Sequence, residues 1–330
     1  MSRCYYSPWM RAIAIAKPGG PETLVLVERG EPRLSSSGEV RVRVRATAVN
    51  RADLLQRMGM YPAPADAPRD IPGLEFAGEV EAVGWDVTRL VVGDRVFGLV
   101  GGGAYAEYLV THERALAKIP DNLSFEEAAA VPEAFVTAYD ALVERGGFRG
   151  GDTILVSAAG SGVGTATIQL GHALGGYVVG TARTADKLER CKPLGLDVGV
   201  VPDGTRFAGK VPKPKVIVEL VGGAYVAEDL LAIQPLGTIV LVGMLGGNKT
   251  ELDMGLLMQK RATIVGTMLR SRPIEEKLAA MRMFEANVVP LFAHGRVKPI
   301  VETVLPLADA PKAHELMASN SGFGKIVLRV

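Results

Sequence analysis

Cysteine is nearly absent from this 330-residue chain. Cys4 and Cys191 are the only two and lie far apart in the sequence, so neither a disulfide framework nor a cysteine-built metal site is available. Histidine is almost as scarce: His112, His172, His294 and His314 are isolated from one another and from Cys191, without metal-ligand spacing. An excess of one charge is also lacking, since 37 Lys and Arg stand against 36 Asp and Glu for a formal net charge of +1. That balance argues against a nucleic-acid partner. The longest apolar runs, such as Gly237 to Leu245 and Val216 to Val221, fall well short of the roughly 20 residues that a membrane-spanning helix needs. Met1 to Trp9 has no apolar core of a secretory signal. A soluble, cytoplasmic protein with no membrane partner is therefore expected. Met10-Arg11-Ala12-Ile13 reads as a second start, which makes residues 1–9 a loose leader in this reading.

What the chain does contain is apolar material, 48% of its residues, enough for two cores at roughly 150 residues per domain. From Ala12 to about Pro120, short strand-like runs are separated by Gly, Pro and charged turns: Arg11–Ala16, Leu24–Val27, Glu39–Ala48, Phe76–Val83, Arg95–Leu99 and Ala104–Val110. That pattern predicts an all-β unit. In Glu39–Ala48 charged and apolar residues alternate with period 2, which places one face in a core and the other in water. From about Thr137 the rhythm changes to apolar strands alternating with helix-length segments, and the strands are expected at 153–158, 177–181, 198–201, 216–220, 237–243 and 263–268. Continuous Val, Ile and Leu runs of this kind imply a parallel sheet covered on both faces. A long helical stretch is predicted over Ile274–Gly295. It is followed by a strand at Lys298–Leu305, a helix over Ala308–Ser319, and a last strand, Lys325–Val330, that rejoins the first domain.

Between the strand at Thr153 and the helical Thr165-Ala166-Thr167 lies Ala158-Ala159-Gly160-Ser161-Gly162-Val163-Gly164. A strand, a turn of residues too small to block a pyrophosphate, and a helix whose first N–H groups are free make an anion cradle. Ser161, Gly162, Val163 and Gly164 are its expected contacts, with Gly164 permitting close helix-to-strand packing. At the end of the next strand, Gly180-Thr181-Ala182-Arg183-Thr184 lacks the carboxylate that would bind ribose hydroxyls. Arg183, Thr184 and Lys187 suit a 2′-phosphate instead through charge-assisted hydrogen bonds. NADPH is thus the expected cofactor, and Gly180 belongs to the same site.

Several further stretches carry a resemblance: Ala48-Val49-Asn50-Arg51-Ala52-Asp53-Leu54, Gly59-Met60-Tyr61-Pro62, Pro72-Gly73-Leu74-Glu75-Phe76-Ala77-Gly78, Gly93-Asp94-Arg95-Val96 and Phe135-Val136-Thr137-Ala138-Tyr139. With the glycine-rich turn, they make the chain resemble the zinc-independent quinone oxidoreductase, or zeta-crystallin-like, branch of the medium-chain dehydrogenase/reductase superfamily. The resemblance implies an α/β fold in which a GroES-like β-rich catalytic domain, residues 10–132 and 296–330, is combined with a doubly wound Rossmann domain, residues 133–295. It also implies a nucleotide cleft between them and a homodimer. Zinc-dependent relatives carry Gly-His-Glu where this chain reads Gly73-Leu74-Glu75, and Leu74 cannot bind a metal.

By the same resemblance Tyr61 faces the nicotinamide end, and its phenol is a candidate to hydrogen-bond a substrate oxygen. Asn50, Arg51 and Asp53 approach the nicotinamide and its ribose, with Asp53 a weaker candidate proton donor. Thr137, Val242, Gly243, Met244, Leu245, Leu269, Arg270, Ser271 and Lys325 complete the implied cofactor contacts. Without a metal to activate an alcohol, the chemistry that remains is hydride transfer from NADPH to an already electron-poor quinone, aided by proximity and alignment. The alternatives are an NADPH-dependent alkenal or enoyl reductase acting on an enone and, from another class, a nucleotide-binding structural protein with little turnover.

Overall fold

The computed structural model describes residues 9–330, and apart from Trp9 the predicted leader lies outside them. Trp9 is not loose: it opens the first strand and pairs with Gly30. No helix among the described residues is long and apolar enough to cross a membrane. The chain divides into two compact units, one formed by residues 1–133, 270–286 and 301–330, the other by residues 134–269 and 287–300.

The first unit contains β1 (Trp9–Ile15), β2 (Leu24–Gly30), β3 (Glu39–Ala48), β4 (Glu75–Val83), β5 (Arg95–Leu99), β6 (Tyr108–His112) and β7 (Leu116–Lys118). The two-sided strand forms as its alternation dictates. Val40, Val42 and Val44 of β3 are buried in the core with Phe76, Val80 and Val96. Its arginines pair with β4 across the other face, Arg45 with Glu79 at 2.6 Å and Arg41 with Glu81. The unit is not purely β, because Arg51–Arg57 is a helix opened by Asn50, whose N–H is bound at 2.8 Å by the carboxylate of Asp53.

The predicted strand Ala104–Val110 also shifts, to Tyr108–His112. Residues 103–105 instead bond one by one to Ile71, Gly73 and Pro72, while Ile13 N donates to Tyr105 O. Their N–H groups are spent before a ladder can start.

The second unit contains β8 (Thr153–Val156), β9 (Tyr177–Thr181), β10 (Val198–Val200), β11 (Val216–Glu219), β12 (Thr238–Leu241) and β13 (Thr263–Gly266). They form one parallel sheet in the order β10-β9-β8-β11-β12-β13. Leu155, Val179, Ile217 and Ile239 sit at the centre of its core. The strand order reverses between β8 and β11, and the carboxyl ends at such a reversal form the ligand crevice of doubly wound sheets.

The chain returns to the first unit through β14 (Val301–Pro306) and β15 (Lys325–Arg329). β15 pairs antiparallel with β3 in a seven-stranded sheet, so the last strand rejoins the first unit. The predicted helix 274–295 is broken into Ile274–Asn287 and Val289–Ala293. Pro290 supplies no N–H to carry one helix through. The first piece clusters with the β unit rather than with the sheet unit: Phe284 packs edge-on against Phe97 at 5.7 Å, and Arg89 and Arg114 hold Glu285 and Glu275.

Candidate functional site

In the sheet unit, β8 ends in a sharp turn. Ala158 takes φ +48°, and Ser161 Oγ accepts from Gly164 N at 3.0 Å to cap the helix Gly162–Ala173. The N–H groups of Gly162 and Val163 stand in the first turn of a 12-residue helix, at its positive end. A Cβ at Gly164 would stand 2.5 Å from Ala158 O and 2.7 Å from Ala159 O. Only glycine lets the helix start this close to the strand. Gly180 is similarly confined, its missing Cβ 2.9 Å from Leu196 and 3.0 Å from Ala159. The turn fits a dinucleotide pyrophosphate.

Past β9, Thr181 and Ala182 are buried and Arg183 and Thr184 are exposed, with Lys187 one turn further on. Thr184 caps the helix Ala185–Cys191 by position only, without a side-chain bond. Its hydroxyl is therefore not consumed by the helix. The loop after β12 is anchored where Val242 N and Gly243 N donate to Glu219 O at 2.9 and 3.2 Å. Met244 and Leu245 follow as exposed side chains. Thr137 is buried in this unit and Leu269 half-buried. Cys191 is a buried free thiol, pushed up to about 12 by burial, and so inert.

In the β unit the predicted residues converge on a buried polar cluster. Asp53 Oδ1 accepts from Gly73 N at 3.1 Å and Oδ2 from Asn50 N at 2.8 Å, and burial pushes the carboxyl up to about 6. The side chain thus holds the backbone on both sides of the loop. A third contact can be given a direction. Arg57 can only donate, so His314 Nδ1, 3.3 Å away, accepts. Burial brings His314 down to about 3, and the neutral ring then carries its proton on Nε2. That N–H donates to Tyr105 Oη at 3.2 Å, and the tyrosine O–H passes on to Asp53 Oδ2 at 3.4 Å.

Glu75, fully buried, accepts from Asn50 Nδ2 at 2.8 Å, from Lys325 Nζ at 2.6 Å and, on its other oxygen, from Glu133 N at 2.8 Å. Lys325 gives its remaining protons to Asn50 Oδ1 at 2.5 Å and Val49 O at 3.2 Å. Its ammonium is filled by the unit's own acceptors. Arg51 turns one end of its guanidinium, Nη2, to Met317 O at 3.0 Å and to Asn320 Oδ1.

Tyr61 stands apart from this cluster. The guanidinium of Arg270 lies over its ring, 5.0 Å from the centroid, and is fixed by Gln56 Oε1 at 2.6 Å, Gly101 O at 2.8 Å and Tyr61 O at 3.3 Å. With Pro62, Pro64 and Ser271 they line a recess of about 60 Å³. The Tyr61 hydroxyl makes no bond to a described residue. Burial raises its pKa above the usual phenol value, so it remains a proton-bearing donor at neutral pH. Glu133 escaped the sequence reading. Burial, then the Glu75 carboxylate, pushes it up to about 7. Its neighbour Glu75 is 58 positions away, and no local signal marks it.

Comparison with known proteins agrees with both units. The alcohol dehydrogenase GroES-like domain family matches residues 36–121 and the zinc-binding dehydrogenase family matches residues 162–286. A quinone oxidoreductase of Pseudomonas aeruginosa is 35% identical, covering 96% of this chain and 99% of that protein. The crystal structure of a quinone oxidoreductase from Pseudomonas syringae pv. tomato superposes with a TM-score of 0.84 at 31% identity, over 97% of this chain and 100% of that one. A mycobacterial protein solved in complex with NADPH gives 0.86 at 28% identity, over 97% and 100%.

The second family's description names zinc, and the donors here do not fit that ion. Leu74 offers no lone pair and is buried, and the oxygens of Glu75 and Asn50 are taken up by Lys325, an amide and a backbone N–H. By its sequence and its two units, this chain belongs to the quinone oxidoreductase, zeta-crystallin-like branch of the medium-chain dehydrogenase/reductase superfamily, a group of NAD(P)H-dependent oxidoreductases.

Proposed function

We propose that the protein is an NADPH:quinone oxidoreductase that transfers hydride without a metal. The observation that carries the cofactor choice is the end of β9, where Arg183 and Thr184 stand exposed and no carboxylate precedes the helix. A 2′-phosphate would meet a guanidinium, a hydroxyl and the nearby Lys187, whereas the ribose diol of NADH would find no acidic acceptor. Gly162 and Val163 would bind the pyrophosphate through their N–H groups. Bound NADPH supplies the hydride.

The rest of the work falls to the protein. Reduction of a quinone adds one hydride and one proton and leaves a hydroquinone, so negative charge builds on a carbonyl oxygen during transfer. The Tyr61 hydroxyl is the group assigned to that oxygen, as a protonated donor without a competing internal partner. Arg270 holds the phenol ring in place and adds a positive charge beside it. Asn50, Asp53 and Lys325 form a scaffold with Glu75, and Asp53 is assigned to holding Asn50 and Gly73, because both its oxygens already accept hydrogen bonds.

The test is the loss of NADPH absorbance with a quinone panel and an α,β-unsaturated carbonyl panel run side by side, with NADH as parallel donor. A higher kcat/KM for quinones, and for NADPH over NADH, is expected. Preference for enals or enones would move the reaction to carbon-carbon double-bond reduction. Tight NADPH binding without turnover of either panel would leave a nucleotide-binding protein.

A further inference from the structure

Two carboxyl groups in the sheet unit face each other without a cation. Glu219, the last residue of β11, and Asp229, on the helix Tyr225–Ala232, are both fully buried. Glu219 Oε2 and both oxygens of Asp229 receive no hydrogen bond from an N–H or from a hydroxyl of another described residue, and neither side chain joins an ion pair with a described Lys or Arg. Two ionised carboxylates left like this would carry both a desolvation cost and their mutual repulsion. One proton held between them replaces the repulsion with a hydrogen bond from the protonated carboxyl to the ionised one and leaves a single buried charge instead of two.

The location gives this proton a consequence. Glu219 Oε1 accepts from Val221 N at 2.5 Å and Gly222 N at 2.6 Å, which shapes the loop after β11. The carbonyl of the same residue accepts from Val242 N and Gly243 N, which shapes the loop after β12. The two loops are then tied together by Gly246 N donating to Val221 O at 2.6 Å, and a Cβ at Gly223 would come within 2.4 Å of Gly246 O. We propose that Glu219 and Asp229 share one proton and act as a positioning pair, pinning the loops after β11 and β12, the second of which carries Val242 to Leu245, the residues expected to touch NADPH.

This rests on the nucleotide reading above for the ligand, but not for the pinning of the loops. The other polar and titratable groups facing the pair bring no cation against it. Ser157 Oγ, at the end of β8, accepts from Leu220 N at 2.7 Å, and its hydroxyl is a neutral hydrogen-bond partner of Glu219. Glu228 is occupied by Phe207 N and Ala208 N, both at 2.9 Å. The Tyr225 phenol feels both carboxylates and, more weakly, Arg183. Lys260 is bound to Leu231 O and Ile233 O at the far end of the helix. Burial first, then the partner carboxylate, holds Asp229 well above the usual carboxylate range.

Asp229→Asn and Asp229→Leu separate the possibilities. Asparagine donates an N–H to Glu219 without a titratable proton, and leucine leaves Glu219 Oε2 buried with no donor. In the ligand-free protein at pH 7, amide exchange at Val242 and Gly243 is expected to quicken at least tenfold in the leucine variant and to stay within about threefold of wild type in the asparagine variant. Unchanged exchange in the leucine variant, or quickening spread evenly over the whole sheet, would overturn the proposal.

The NADPH dissociation constant should follow, rising at least tenfold with leucine at pH 7. Between pH 7 and 10 it should climb in wild type and less steeply in the asparagine variant. Equal alkaline slopes in those two would also overturn it. If wild type binds no NADPH, the nucleotide reading fails and the exchange measurement alone decides the pair.

Discussion

In the β unit, Glu75 lies fully buried against Lys325, with Asn50 and a backbone N–H filling its remaining positions. In the sheet unit, Glu219 lies as deeply buried against Asp229, with no cation in contact. Glu75 begins β4 and Glu219 ends β11, and each side chain accepts backbone N–H groups of its own unit. In the first arrangement the charge of the carboxylate is matched by a cation, in the second a shared proton takes the cation's place. The two units thus differ in where buried carboxyls answer to pH: at the Glu219–Asp229 pair in the sheet unit, as proposed above, and at Asp53 and Glu133 in the β unit.

The comparison breaks most visibly at Lys325. Lys325→Met leaves Glu75 charged, buried and short of its cation, and removing one member of such a pair costs about 3–5 kcal/mol. Chemical unfolding followed by fluorescence should record a loss of that size. The double variant Lys325→Met with Glu75→Leu should recover much of it, because a buried ion pair exchanged for apolar side chains is often neutral. If the double variant is as unstable as the single one, the cost is lost packing, and the contrast drawn between the two glutamates falls.

A smaller effect is expected where the charge is exposed. Arg183 lies at the surface beyond β9, so reversing it should act on the ligand and leave the fold intact. Arg183→Glu is expected to raise KM for NADPH roughly 10- to 100-fold, or about 1.4–3 kcal/mol, with KM for NADH changed by less than about threefold and the unfolding midpoint unmoved. Equal effects on the two nucleotides would remove the assignment to the 2′-phosphate.

These outcomes track what could be read from the sequence. The strand Tyr177–Thr181 has the bounds expected from its apolar run, and the period of Glu39–Ala48 placed its valines inward. Such strands announce themselves because burial on one or two faces leaves a repeat in adjacent residues. The turn at Ala158–Gly164 was legible for the same reason, since its requirements lie within seven consecutive positions.

What stayed hidden depends on distant partners. Lys325 and Arg51, expected at the cofactor, also hold acceptors of the β unit, Lys325 those of residues some 275 positions away, a use that no local pattern announces. The bonds that Asp53, a candidate acid, accepts from Gly73 and Tyr105 were likewise unreadable from its neighbours in sequence. Glu133 and Asp229 gave no local sign at all. The split at Val288 and the displaced strand at Tyr108 were missed because one proline and one set of loop bonds overrode a favourable pattern.

Tyr61 sharpens the comparison from the functional side, because it is the one predicted catalytic side chain whose hydrogen-bonding group is not absorbed by its own unit. Tyr61→Phe keeps the ring under Arg270 and deletes only the hydroxyl, so packing and stability should be unaffected. If the phenol stabilises charge on the acceptor oxygen, kcat should fall about tenfold, near 1.4 kcal/mol, with little change in KM for NADPH. The loss should be the same with strongly and weakly oxidising quinones only if hydride transfer limits both. A fall confined to the weaker acceptors would show that product release limits the others. Unchanged kcat across the whole panel would reduce Tyr61 to a packing residue, and the oxygen-binding role would pass to a group outside the recess formed with Arg270.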